Sequence, residues 1–417
     1  MKQLLHTPEG VRDIYKDECA RKLALTNRLH KVLHLYGYHD IQTPTFEFFD
    51  VFRKEIGTIP SKELYKFFDR EGNTLVLRPD MTPQIARVAA TLLGEHEFPA
   101  RLCYVGNTFI NHSSYQGRLR ESTQIGAEFL GLDSVDADAE MLALVVDCLK
   151  KAGLEEFQIN VGNVDFFQSL MEDAHVDEET EIRLRELIAN RNYFGMDELL
   201  TEAEVKRSTR EALSALSELV GGVEILEQAK RIAPSSKALK AVKRLEAIYE
   251  VLKAYNVSDY ISFDLSMCGT YGYYTGIIFR GYTFGTGDAI VKGGRYDQLV
   301  EKFGRSMPSI GFAIVIDDLM NALQRQKIRI PHGQKNTLII YDEGRQKDAV
   351  LLAREFRSKD KNTELLMKEE DRSVEFYIDY GKRTLAGGLL YLQNTSQIRM
   401  FNLQTGEQKI IKSRDKR

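Results

Sequence analysis

The stretch from Tyr273 to Leu299, YYTGIIFRGYTFGTGDAIVKGGRYDQL, concentrates groups that a plain structural hairpin does not need. Two adjacent tyrosines open it, Gly285 and Gly287 bracket a threonine, and residues 293–297 run Gly-Gly-Arg-Tyr-Asp. Its pattern reads as two strands joined by a glycine turn. Phenols, a guanidinium and a carboxylate on a glycine-rich sheet suit a surface that holds a small polar ligand. The GTGD turn alone carries little, because such turns commonly just close a hairpin. The sequence has no G-x-x-x-x-G-K-[ST], no G-x-S-x-G and no H-E-x-x-H. Its four cysteines, Cys19, Cys103, Cys148 and Cys268, are scattered without C-x-x-C spacing, which suits reduced thiols. The eight histidines are scattered too, so the sequence offers no metal site.

The chain that must position these groups has 417 residues, enough for two or three domains. With 43% hydrophobic and 28% charged residues it has an ordinary globular composition. The N-terminal MKQLLHTPEGVRDIY lacks an apolar run of signal-peptide length, and no stretch reaches membrane-helix length, so a cytoplasmic location is expected. A net charge of −4 argues against a large nucleic-acid footprint. The segment from Pro331 to Arg417 carries 17 Lys+Arg against 13 Asp+Glu, and most of that surplus sits in the terminal KSRDKR, which reads as a solvated end.

Periodicity sets out the elements. A helix is expected from Glu18 to Tyr36, stopped by Gly37, with an extended segment from Ile41 to Phe46 whose Pro44 suits an edge. KFFDREGNTLVL reads strand, turn, strand, followed by a helix from about Thr82 with Pro83 in its first turn. ARLCYVGNTF and ESTQIGAEFLG are strands, Asp136 to Lys151 a helix, and FQINVG a strand. Residues 166–255 read as a helical insertion without strand pattern. The sheet resumes at YISFDL and closes with the strand-to-helix element IGFAIVIDDLMNALQRQ. Residues 326–336 read as a linker. Residues 337–417 form a small α/β domain, with TLIIYD, a helix from Gly344 to Ser358, TELLM and GGLLYLQN.

A set of local patterns recurs in a fixed order: TPEGVRDIY, GYHDIQTPTFE, LRPDMT, QGRLRESTQIGAEFLG, YYTGIIF, GGRYDQL and IGFAIVIDDL. Together, over roughly residues 6–325, they resemble histidyl-tRNA synthetase. The resemblance implies an α+β fold of the class II aminoacyl-tRNA synthetase type: an antiparallel sheet of about six strands, flanked by helices, filling residues 1–325, with the small C-terminal domain an anticodon-binding-domain-like relative. It also implies a histidine pocket from Asp80, Thr82, Gln124, Glu128, Tyr273 and Tyr274. That donor set suits the ligand: an ammonium wants carboxylates, and an imidazole wants oriented donors and acceptors. Gln124 and Glu128, four apart on one strand, share a face.

The departures from that family matter as much. Ile110 stands at its second-motif arginine, His112 at the following glutamate, Ser113 at the next arginine, Gly269 at the arginine before the paired tyrosines, and Asp318 at the third-motif arginine. Arg118, Arg120 and Arg295 match arginines the family already has, so none is a replacement. Adenylation brings a carboxylate to the α-phosphorus of ATP, and guanidinium groups stabilise the charge that develops. The expected protein keeps the amino-acid pocket and lacks the adenylating machinery. It thereby resembles the regulatory subunits of ATP phosphoribosyltransferase, a catalytically inactive relative of the synthetase. That resemblance implies a short-form catalytic subunit as partner, the first step of histidine biosynthesis, free histidine as feedback effector, a homodimer within a hetero-oligomer, and no tRNA, cofactor or metal. An active histidyl-tRNA synthetase and a histidine-binding scaffold for another partner remain the alternatives.

Overall fold

The computed structural model describes residues 2–52, 59–113, 118–267, 273–331, 333, 336–394 and 397–412. They divide into two units, one of residues 1–13 with 25–330, the other of residues 14–24 with 331–417. None of the helices is long and apolar enough to cross a membrane, among the described residues.

The strands of the first unit are β1 (His39–Asp40), β2 (Phe46–Phe48), β3 (Lys66–Phe68), β4 (Thr74–Leu77), β5 (Ala100–Phe109), β6 (Glu121–Leu130), β7 (Phe157–Asn163), β8 (Val220–Gly221), β9 (Ile261–Asp264), β10 (Ile277–Thr283), β11 (Val291–Arg295) and β12 (Ser309–Val315). Nine of them form one sheet in the order β1-β5-β6-β12-β11-β10-β7-β9-β8. Its middle, from β5 to β7, is six antiparallel strands. The expected six-stranded sheet is therefore extended at its edges, where β1 runs parallel to β5 and β9 parallel to β7. Strands β2, β4 and β3 make a separate small sheet.

The expected extended segment at Ile41 to Phe46 is instead a break between two short strands. Side chains take over its backbone pairing: Arg78 Nη1 donates to Thr43 O at 2.8 Å and Gln84 Nε2 to Pro44 O at 2.9 Å. The carbonyls on either side of the proline peptide are thereby satisfied without a strand partner, around a Thr43 that is buried.

The helices are α1 (Lys16–Leu35), α2 (Thr82–Thr91), α3 (Val135–Ala152), α4 (Val164–Ala174), α5 (Glu178–Ala189), α6 (Tyr193–Glu202), α7 (Arg207–Ser214), α8 (Ile225–Ile232), α9 (Ser236–Ala254), α10 (Asp297–Glu301) and α11 (Ile316–Arg325). Local chemistry explains their ends. Ser134 accepts from the Ala137 N–H at 3.0 Å, Asp136 and Asp138 lie in the first turn of α3, and Gly153 closes it at φ +107°. Twelve buried residues of α3 face the core, which makes it the sheet's principal cover. Residues 164–254 hold six helices. They also contain β8, a two-residue strand that the sequence pattern is too short to show.

The second unit is a five-stranded sheet in the order β14 (Thr363–Met367), β13 (Thr337–Tyr341), β15 (Gly388–Leu392), β16 (Gln397–Asn402) and β17 (Gln408–Lys412), with helices α12 (Gln346–Arg357) and α13 (Val374–Arg383). Successive residues of β13 point to opposite faces. Leu338 and Ile340 join a cluster with Tyr377 of α13, and Ile339 and Tyr341 join one with Ala349 and Ala353 of α12. Helix α13 and the β16–β17 hairpin were not expected from the sequence.

Candidate functional site

The sheet and α2 enclose a cavity of about 860 Å³. Of the expected pocket residues, Asp80, Thr82, Gln124, Tyr273 and Tyr274 line it. Glu128 lies just beneath, 1% exposed. Each is held by the element that carries it. Asp80 precedes α2 and accepts from the Met81 N–H at 2.7 Å, so its carboxylate sits at a helix start. Thr82 opens α2 and donates to Glu128 Oε1 at 2.9 Å, while Tyr296 Oη donates to Glu128 Oε2 at 2.6 Å. Tyr273 and Tyr274 pack with ring centroids 4.7 Å apart, and Tyr273 meets Tyr296 edge-on at 6.3 Å.

Glycines make the room. Register pairs Gly311 with both Glu128 and Gly294, and Gly126 with Tyr104. A Cβ on Gly311 would lie 1.5 Å from Glu128 Oε2, one on Gly126 2.3 Å from Tyr104 Oη, and one on Gly294 2.9 Å from the Tyr274 ring. The floor is thus carpeted by side chains lying across the strand positions Gly126, Gly294 and Gly311, which have none of their own. A strand glycine marks such close approach, and the glycines of QIGAEF, SIGFAI and KGGRY were the available signal. Tyr104, Tyr296 and Gly311 shape this floor and were not assigned to it by the sequence reading.

The electrostatics follow from depth. Burial raises the Glu128 carboxyl from 4.5 to about 8; its hydrogen bonds from Tyr296 and Thr82 oppose the rise, and the nearby Asp80 charge adds to it. Without a cationic ligand the site therefore favours the neutral acid form of Glu128. Gln124 Oε1 is buried without a hydrogen-bond partner among the described residues. A buried acceptor left open beside a cavity is costly in an empty protein and useful to a donor that enters.

The opposite end of the cavity differs. Ile110, His112 and Asp318 line it, all three at positions where the resemblance implies other residues. Burial, then the Asp317 and Asp288 charges, push Asp318 above the usual carboxylate range. Ser113 is exposed and does not line the cavity, and Gly269 lies outside the described residues. Arg118 and Arg120 line the cavity, joined by Lys292 and Arg325, which the sequence reading did not single out. Lys292 pairs with Asp288 at 3.3 Å, and Arg325 Nη1 donates to the Gly285 carbonyl. Arg295 is elsewhere: 2% exposed, it clamps Asp138 at 2.6 Å, and Asp138 in turn binds Arg244 of α9 at 2.6 Å. Its role is to tie β11 to α3 and α9.

A carboxyl-floored, tyrosine-walled recess with one open amide acceptor can hold a small cation bearing a planar ring. The other half sets Ile110 and Asp318 among Arg118, Arg120, Lys292 and Arg325, so it keeps cations but puts an aliphatic side chain and a carboxylate at two positions where the resemblance implies arginines.

A family model described as histidyl-tRNA synthetase matches residues 10–319. The chain is similar to the ATP phosphoribosyltransferase regulatory subunit of Acetivibrio thermocellus, 38% identical over 97% of this chain and 96% of the relative. The same-named protein of Ruminiclostridium cellulolyticum is 35% identical over 96% and 95%. Among solved structures, a Bacillus halodurans protein described as ATP phosphoribosyltransferase regulatory subunit/histidyl-tRNA synthetase superposes with a TM-score of 0.84 at 32% identity, covering 94% of this chain and 99% of its own. A Nostoc histidyl-tRNA synthetase, 19% identical, shares the fold with a TM-score of 0.82 over 98% and 97%.

Proposed function

The chain belongs to the histidyl-tRNA synthetase family and, within it, to the ATP phosphoribosyltransferase regulatory subunits, and from that premise we propose that it is a non-catalytic subunit whose cavity binds free histidine. It serves a short catalytic phosphoribosyltransferase in the first step of histidine biosynthesis, as a homodimer within a mixed assembly of closed symmetry. The observation that supports the reading is that Asp80, Thr82, Gln124, Tyr273 and Tyr274 line one cavity together with Ile110 and Asp318, which stand where the resemblance to the synthetase implies arginines.

The amino-acid end suits histidine group by group. Asp80 and Glu128 supply negative charge for an ammonium, Gln124 Oε1 accepts an N–H, and Tyr273 and Tyr274 offer faces to an imidazole. Removing one charge-stabilising donor from such a transition state typically costs on the order of a hundred- to a thousandfold in rate. Here a carboxylate also stands toward the triphosphate. Lys292 and Arg325 are already engaged by Asp288 and Gly285, so they compensate poorly. Feedback requires that histidine bind one state of the assembly better than another. By reciprocity the substrates then weaken histidine binding, by a coupling of about 1–3 kcal/mol.

The test uses the purified full chain with and without the catalytic subunit. Calorimetry is expected to detect histidine binding, and histidine-dependent ATP–pyrophosphate exchange to stay at background. On mixing, the two chains are expected to co-elute and phosphoribosyl transfer to rise. Exchange at the rate of an ordinary synthetase would overturn the non-catalytic reading. Transfer that is unchanged by this chain would overturn the partnership.

A further inference from the structure

Away from the cavity, α1 carries His30 and His34 one turn apart, with ring centroids at 4.3 Å. Strand β1 ends in Asp40, which register places directly beside Cys103 of β5. The two imidazoles reach the same carboxylate: His34 Nε2 lies 3.2 Å from Asp40 Oδ2, and His30 Nε2 contacts Asp40 Oδ1. Cys103 Sγ lies 3.5 Å from Asp40 Oδ1. Four donor atoms from three elements thus fall within 4.8 Å of one another.

We propose that His30, His34, Asp40 and Cys103 bind a zinc-class divalent cation. Zinc bonds of about 2.0–2.3 Å in a tetrahedral shell give donor–donor edges of about 3.3–3.6 Å. The 3.2 and 3.5 Å separations, each to a different Asp40 oxygen, are of this size, while His30 Nε2 sits closer to Asp40. Ligation therefore replaces these hydrogen bonds through side-chain rotations that draw four donors, now within 4.8 Å, onto one ion. Two imidazole nitrogens with one sulfur select zinc over the oxygen-seeking magnesium and calcium. Charge balances: a thiolate and a carboxylate neutralise a dication, and the Cys103 proton leaves to solvent as the sulfur ligates. His34 and Asp40 are exposed, which gives the ion its entry, while Cys103 is buried and supplies the inner ligand. Bound there, the ion pins α1 to the β1–β5 edge. Strand β5 pairs along its whole length with β6, the strand of Gln124 and Glu128, so the site braces the cavity's far wall.

The test is titration of metal-stripped full-length protein with cobalt(II), followed by zinc. One equivalent of cobalt per chain is expected, with tetrahedral visible bands and a near-ultraviolet thiolate-to-cobalt charge-transfer band, all displaced by zinc. Cys103→Ser is expected to lose the charge-transfer band. His34→Ala, on an exposed helix face, is expected to fold normally and lower zinc affinity by about tenfold or more. It keeps the test decisive should the buried Cys103 variant fail to fold. Substoichiometric uptake by the wild type, or unchanged affinity in His34→Ala, would mean the cluster is only a hydrogen-bonded surface group and would overturn the proposal.

Discussion

Replacing Glu128 by glutamine isolates the most perturbed group of the cavity. Burial lifts its carboxyl from 4.5 to about 8, so between those values the folded chain holds a proton that the unfolded chain has released. Stability falls with pH wherever the folded state binds more protons. Each pH unit is worth about 1.4 kcal/mol. The ligand-free wild type therefore loses about 5 kcal/mol from this one group as pH rises through the window; the contribution is whole below 4.5 and gone above about 8. Glutamine keeps the shape and has no proton to lose. Its carbonyl can accept from Thr82, and its amide can donate to Tyr296 Oη. Urea unfolding at several pH values between 5 and 8.5 is the assay, read as the difference between variant and wild type so that other titrating groups cancel. Near pH 5 the two are expected to be similar. Near pH 8.5 the variant is expected to be the more stable by several kcal/mol, with unchanged denaturant dependence. A difference that does not vary with pH would refute the reasoning. The variant is also expected to bind histidine more weakly by about 1.5–3 kcal/mol, through loss of a charge-assisted contact. The wild type should release a proton on binding histidine at pH 7 and the variant should not.

Other perturbations follow from the same geometry. Gly311→Ala puts a methyl where Glu128 Oε2 lies and is expected to abolish histidine binding in calorimetry while costing about 1–3 kcal/mol in denaturant unfolding. Arg295→Met strips Asp138 of one of its two guanidinium partners inside the core and is expected to cost about 3–5 kcal/mol, with histidine affinity little changed in whatever fraction folds.

The six central strands and α2 were legible because alternation, Pro83 and the turn residues all point the same way. The edge strands β1 and β8 were not: two residues carry no period, and their pairing is set by partners distant in sequence. The same holds for function. Gln124 and Glu128 announce a shared face because they lie on one strand. Arg295 looks like a cavity residue in a motif and is instead locked to Asp138, a partner 157 residues away. His30 and His34 show helical spacing, but only the β1–β5 register brings Asp40 and Cys103 to them. Helix α13 mixes aromatic and β-branched residues with weak helix preference, and it forms because Tyr377 has a core to enter.

Strands β7 and β9 lie side by side and run the same way, with Ile159 beside Ile261. The chain that leaves the end of one must travel back along the sheet to enter the start of the other, and a tight turn cannot make that trip. The helical segment between them is therefore a bridge. Helices α5 to α8 carry β8 and Arg191, which pair with β9 and its Asp264, so they also hold the edge of the sheet. Helix α9, with Arg244 gripping Asp138 from across α3, is the span that returns the chain, and an engineered deletion that removed it would leave β9 with no route into the sheet.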